Sequence, residues 1–128
     1  MNYLLDTHAF LWWIDGDRRL SAKAHQLIAS RENIIYFSAA SAWEIAIKVK
    51  LGKLQIDGPL DSFITEQLQE NNITSLAVQV KHALHTSNLP PLHRDPFDRL
   101  LIAQSLSEGI PIITADKQIK EYQVETYW

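Results

Sequence analysis

The sequence predicts an α/β fold: a central parallel sheet of four to five strands with helices on both faces. Three observations predict it. Short apolar runs alternate with helix-length segments along the whole chain, the pattern of parallel strands joined by helical crossovers. The first of those runs, Tyr3-Leu4-Leu5, is apolar throughout and ends at Asp6, as a strand buried on both faces does. The 128 residues correspond to a single domain, 1–128, large enough for its own core.

The elements follow in order. Thr7 to Ile14 has helix-compatible spacing and is broken by Asp15-Gly16-Asp17. Ser21 is an N-cap for a helix running to about Ser30. Asn33 to Phe37 is rich in β-branched and aromatic residues and reads as a second strand. Ser38 opens a helix to about Leu51, with Ala42, Ile45, Ala46 and Val49 as its core-facing stripe and Gly52 as its stop. A helix from Leu60 to Glu70 follows Pro59, and Asn71-Asn72 turns the chain into a third strand, Ile73 to Leu76. Val78 to Thr86 is helical, and Leu89 to Asp95 is a proline-rich loop. Pro96 to Glu108 is a helix with Asp95 as cap, Pro96 at the first helical position and Gly109 behind it. Ile110 to Thr114 is a fourth strand with proline at its entry. Asp116 caps a short helix, and Val124 to Tyr127 is an edge strand.

Composition excludes several classes. Hydrophobic residues make 46% of the chain and charged residues 21%, so an apolar core is available and disorder is not expected. Twelve basic against fifteen acidic residues give a formal charge of -3, which excludes a strongly basic nucleic-acid coat protein but not a nuclease with a local basic rim. The absence of cysteine removes disulfides, thiol catalysis and zinc-thiolate sites, and suits a reducing cytoplasm. The start of the chain lacks a signal-peptide pattern, and no run reaches the roughly eighteen apolar residues of a membrane span.

In a parallel α/β sheet, ligands sit beyond the C-terminal ends of the strands. Four acids from four separate strand–helix units belong there: Asp6, Glu44, Asp98 and Asp116. Unneutralised, they repel and raise one another's pKa values. A divalent cation resolves the conflict, and an all-oxygen donor set favours Mg²⁺ or Mn²⁺. Such a site suits phosphodiester hydrolysis, where one metal activates water and a second, about 3.5–4 Å away, stabilises the leaving oxygen. Each acid also has an ordinary structural role available. Asp6 and Asp116 read as helix caps, Glu44 pairs with Lys48 at i, i+4, and Asp95-Pro96-Phe97-Asp98 is close to a capping box. Asp95 is expected to cap, and Asp98 to act in the site.

Four segments, in this order, resemble the PIN-domain ribonucleases, in particular the VapC-type toxins of type II toxin–antitoxin systems. They are Leu4-Leu5-Asp6-Thr7-His8, Ser41-Ala42-Trp43-Glu44-Ile45, Asp95-Pro96-Phe97-Asp98-Arg99-Leu100-Leu101-Ile102-Ala103 and Thr114-Ala115-Asp116. The resemblance implies a Mg²⁺- or Mn²⁺-dependent endoribonuclease. It places Asp6, Glu44 and Asp98 in the metal-binding acid set, with Asp116 as a more variable fourth acid and Thr114 as a supporting hydroxyl. It also implies a homodimer and a cognate antitoxin that inhibits the enzyme.

RNA requires cationic contacts; Arg94 and Arg99 flank Asp98, and Lys48 shares the face of Glu44. These three are the expected phosphate contacts, whereas Lys50 and Lys53 read as a solvated helix end. Of the four tryptophans, Trp12 and Trp13 are adjacent and cannot both be equally buried if the segment is helical; one is expected at an interface. Histidines 8, 25, 82, 85 and 93 show no metal-ligand spacing. Two other functions compete. A receiver-type signalling domain also uses acids around Mg²⁺, but Ile73 to Val80 contains no phospho-acceptor Asp. A non-catalytic binding module of the same fold has no need of four intact acids.

Overall fold

The computed structural model describes all of residues 1–128. The elements are β1 (Asn2–Leu5), α1 (Thr7–Asp15), α2 (Ala22–Ala29), β2 (Ile34–Ser38), α3 (Ala39–Lys50), α4 (Leu60–Glu70), β3 (Ile73–Leu76), α5 (Val80–His85), α6 (Pro96–Glu108), β4 (Ile112–Ile113), α7 (Lys117–Lys120) and β5 (Thr126–Tyr127). A 3₁₀ turn, Thr86–Asn88, follows α5. The five strands form one parallel sheet in the order β3-β2-β1-β4-β5. The chain therefore builds outward from β1 to one side, then returns to β1's other edge. That reversal creates the crevice in which α/β sheets bind ligands.

Alternation along the strands divides the core. Tyr3, Leu5, Ile35, Phe37 and Ile113 face a cluster with Phe10 of α1, Ala24 and Ile28 of α2 and Ile45 of α3. Leu4 and Ile112 point the other way, onto Leu101 and Ile102 of α6 and Ile119 of α7. Helices thus cover both faces, as alternation of elements predicts. Burying both faces of β1 explains why its run is apolar throughout.

Most boundaries fall within two residues of expectation. The fourth strand is shorter, Ile112–Ile113 against the expected Ile110–Thr114, and β5 retains only Thr126–Tyr127 of Val124 to Tyr127. Proline at 111 has no N–H to give the ladder, and the sheet edge ends where pairing with β4 ends. The caps are as read: Ser21, Ser38, Asp95 and Asp116 each accept a backbone N–H from the first turn of their helices. One face differs. Ile45 is fully buried, but its buried companions on α3 are Ala40, Ser41 and Glu44, while Ala42 and Val49 are only partly covered. The helix turns a polar edge inward, and the reason lies at the end of β1.

Candidate active site

Parallel pairing puts every strand's C-terminal end on one edge. The register Leu5↔Ile113 sets Asp6 beside Thr114, and the Asp6 amide donates to the Ile113 carbonyl at 3.2 Å. Asp6 is the N-cap of α1: its Oδ1 accepts from the Ala9 amide at 2.7 Å, and its Oδ2 accepts from the Thr114 hydroxyl. Thr114 Oγ1 in turn accepts from the Asp116 amide at 3.0 Å. One hydroxyl therefore ties Asp6 to the backbone of Asp116. Burial pushes the Asp6 carboxyl up from its ordinary value, against the lowering effect of Thr114, Ala9 and His8; the charge of Asp116 adds to the rise.

Glu44 reaches the same edge from the second turn of α3. It is 7% exposed. The Thr7 hydroxyl donates to its Oε1 at 2.6 Å and lies 2.9 Å from the Ser41 hydroxyl. Its Oε2 meets Lys48 Nζ at 2.9 Å. The inward polar edge of α3 exists to meet Thr7. Asp98 stands in the first turn of α6, with its Oδ2 3.0 Å from His93 Nε2. Its pKa is pushed up to about 8, first by burial and then by the charges of Asp95, Asp116, Glu44 and Asp6. Asp6, Glu44, Asp116 and Asp95 thus all lie within electrostatic reach of Asp98. Asp95 itself caps α6 through Oδ1, accepting from the Phe97 and Asp98 amides at 2.9 and 3.2 Å.

The donor set suits a hard divalent cation: carboxylate oxygens, neighbouring like charges, and one acid driven toward its neutral form first by burial and then by those charges. As the side chains stand, no three are gathered into a group that could hold an ion. Each carboxylate is turned onto a protein donor: Asp6 onto Thr114, Glu44 onto Thr7 and Lys48, Asp98 onto His93. The residues fit a cation in charge and chemistry, and would have to exchange some of these partners to gather around it.

The basic residues divide. Arg94 is exposed in the loop before α6. Lys48 is committed to Glu44. Arg99, expected at phosphate, points its guanidinium into the proline-rich loop. It donates to the Pro90 and Thr86 carbonyls and the Tyr122 hydroxyl at 2.9–3.0 Å, with Leu89 O at 3.5 Å. It fastens the loop that carries His93. Thr7, Ser41 and His93 are site residues that the reading of the sequence left unassigned. Thr7 was readable from its place beside Asp6; His93, five residues from Asp98 across a proline-rich turn, carries no local signal.

A family model for the PIN domain matches residues 3–125. The chain belongs to the PIN domain family. Among characterised relatives, this PIN domain is 28% identical to ribonuclease VapC22 of Mycobacterium tuberculosis over 121 residues, covering 94% of the chain and 91% of the relative. It is 35% identical to ribonuclease VapC16 of the same organism over 88 residues, covering 59% and 62%. Among solved structures, it is similar to VapBC2 from Rickettsia felis bound to a DNA fragment from their promoter (TM-score 0.72, 16% identity, 99% of this chain and 98% of that one). It is also similar to FitAcB from Neisseria gonorrhoeae (TM-score 0.65, 15% identity, 98% and 96%). At such identities the structural likeness is one of fold.

Proposed function

We propose that residues 1–128 form a single PIN domain that hydrolyses RNA phosphodiester bonds with Mg²⁺ or Mn²⁺, as the toxin of a type II toxin–antitoxin pair. On this reading it is a cytoplasmic homodimer held inactive by a cognate antitoxin. One observation carries the catalytic part: four further acids act on Asp98, which burial first and then the charges of Asp95, Asp116, Glu44 and Asp6 push up to about 8. A protein that holds several carboxylates within electrostatic reach of one buried acid stores repulsion that a bound cation relieves. Similarity to ribonucleases VapC22 and VapC16 supports RNA as the polymer, and similarity in fold to VapBC2 and FitAcB supports the antitoxin. No helix is long and apolar enough to cross a membrane.

Asp6, Glu44 and Asp98 would hold the cation, directly or through water, with Asp116 assisting. The bound cation supplies Lewis-acid activation of water and of the phosphodiester at neutral pH. The remaining residues orient this set. Thr114 fixes Asp6, Thr7 fixes Glu44, and His93 holds Asp98. Arg94, exposed beside Asp95, is the cation placed to meet a phosphate.

The test is cleavage of pooled structured RNA by the purified chain, free of any co-purified partner, with Mg²⁺, Mn²⁺ or EDTA. Asp6→Asn removes one charge at constant shape. Cuts are expected with metal, none with EDTA, and about a thousandfold slower cutting in the variant, the factor that several kcal/mol of lost transition-state stabilisation represents. A folded Asp6→Asn chain that cuts at the wild-type rate would sink the assignment.

A further inference from the structure

Trp43 is 60% exposed, although it sits one residue before the buried Glu44. It is the only aromatic among the chain's exposed large apolar side chains. Its ring meets Phe97 with centroids 5.2 Å apart and planes at 79°. Phe97 immediately precedes Asp98. The two rings therefore join the two helices that carry Glu44 and Asp98, and each lies one Cα step, about 3.8 Å, from its acid. In an edge-to-face contact the partner covers at most one face of the indole. The other face is open to solvent, on a helix that cannot move without moving Glu44.

The chemistry around the ring selects its occupant. No other exposed large apolar side chain lies on the first two turns of α3 or the first turn of α6. A protein interface is a contiguous apolar patch with a polar rim; a lone ring one residue from Glu44, against the Phe97 that precedes Asp98, is not one. Open aromatic faces are how proteins hold unpaired nucleobases, because every base has a π-face. We infer that Trp43, braced by Phe97, stacks on an unpaired base beside the scissile phosphate and so positions the strand for cutting. This rests on the ribonuclease reading and names a residue of this chain that would hold the substrate.

The test uses the full-length Asp6→Asn chain, with Trp43 intact or carrying Trp43→Leu or Trp43→Phe. The probe is a fluorescein-labelled mixed-sequence twelve-nucleotide RNA, single-stranded, duplexed, or with one base removed at each position in turn. Fluorescence anisotropy reads affinity. Trp43→Leu is expected to weaken binding of the single strand about 5- to 100-fold, the worth of one base–aromatic stack, and Trp43→Phe to restore most of it. The duplex should bind weakly in every case. Removing the base at one position should erase the difference between the Trp43→Leu chain and its parent, which a purely structural role would not do. Equal affinity of these two for the intact single strand overturns the inference, as does a difference that survives every base removal. A Trp43→Leu chain that binds RNA unchanged but sediments as a smaller species also overturns it, placing the ring between protein copies. The two readings fail separately. Metal-dependent cutting with unchanged KM and sites in Trp43→Leu alone ends this inference and leaves the ribonuclease; a wild-type chain that cuts no RNA ends both.

Discussion

Two buried polar clusters meet α3, and they are built on opposite principles. At the end of β1 the cluster is acidic: Asp6, Glu44 and Asp98 crowd together, and their neighbours include further acids. Across the sheet a second cluster is neutral. The Ser38 hydroxyl donates to Gln104 Oε1 at 2.5 Å, and Gln104 Nε2 donates to the Ala77 carbonyl at 3.1 Å. The fully buried His82 accepts the Gln79 amide on Nδ1 at 2.9 Å. Here donors match acceptors, apart from His82 Nε2, which lacks a hydrogen bond and has Glu108 at 3.8 Å. Burial does not make the difference, for the neutral cluster is the more deeply covered of the two. What separates them is net charge: a matched amide and hydroxyl chain holds a fold together, whereas unmatched like charge costs stability and marks a site.

That contrast predicts that only the acidic cluster responds to pH, the largest effect expected in the cation-free chain. Asp98 titrates near 8 in the folded chain against 3.8 in its ordinary state. Between those values the folded state binds more protons than the unfolded state, so stability is greatest at the acid end and falls as pH rises toward 8. The Asp6 shift has the same sign. Denaturant melts at about pH 5 and about pH 7.5 should differ by about 1–3 kcal/mol, within the limit of about 1.4 kcal/mol per pH unit for one proton. Asp98→Asn should flatten most of that slope, and millimolar Mn²⁺ should restore stability at the higher pH by binding the folded state. A chain equally stable at both values would place the repulsion elsewhere.

The neutral cluster should respond to shape instead. Gln104→Leu keeps the volume roughly but leaves the Ser38 hydroxyl proton and the Ala77 carbonyl without their partner. The expected loss is about 1–3 kcal/mol, the cost of stranding buried polar groups. It should be the same at about pH 7 and pH 8 and indifferent to Mn²⁺. A loss that grew with pH would couple the two clusters through α3 and erase the distinction between them.

The two clusters also differ in how far they could be read in advance. Local signals sufficed for the elements: the apolar β1 run ending at Asp6, the Asp95-Pro96 start and Gly109 stop of α6, and the Ser38 cap of α3. The four acids were expected together because strand ends in a parallel sheet share one edge. Three things were not. The buried edge of α3 is polar because Thr7 lies opposite Ser41 and Glu44, a tertiary contact that periodicity on α3 alone cannot contain. Trp12 and Trp13 are both half-buried. Trp12 packs on Trp128 and Arg19, and Trp13 donates from Nε1 to Asn71 Oδ1, so adjacency on a helix did not force one of them out. Arg99 looked like a phosphate contact by its position after Asp98, but its direction is set by the loop carbonyls it holds. Side-chain direction across a loop depends on how the loop closes, and neither spacing nor composition encodes that.

Lys48 offers the smallest and most discriminating change, because it is the one cation inside the acidic cluster. Its ammonium, about one-third exposed, lies 2.9 Å from Glu44 Oε2. It already does in part what a divalent ion would do in full. Lys48→Met removes that charge and keeps the aliphatic stem. Without the ion, the acids repel more, and stability should drop by about 0.2–1 kcal/mol, the range for partly exposed pairs. With the ion, the sign reverses, since a positive neighbour no longer competes for Glu44. Mn²⁺ affinity, measured by titration calorimetry on the full chain, should rise about two- to fivefold, a gain that shrinks at high ionic strength. RNA affinity should fall if Lys48 also meets phosphate, and stay unchanged if its charge is spent entirely on Glu44. Weaker Mn²⁺ binding in Lys48→Met would show that Lys48 positions Glu44 for the ion rather than standing in for it, and the acidic cluster would then be more preorganised than its present partners suggest.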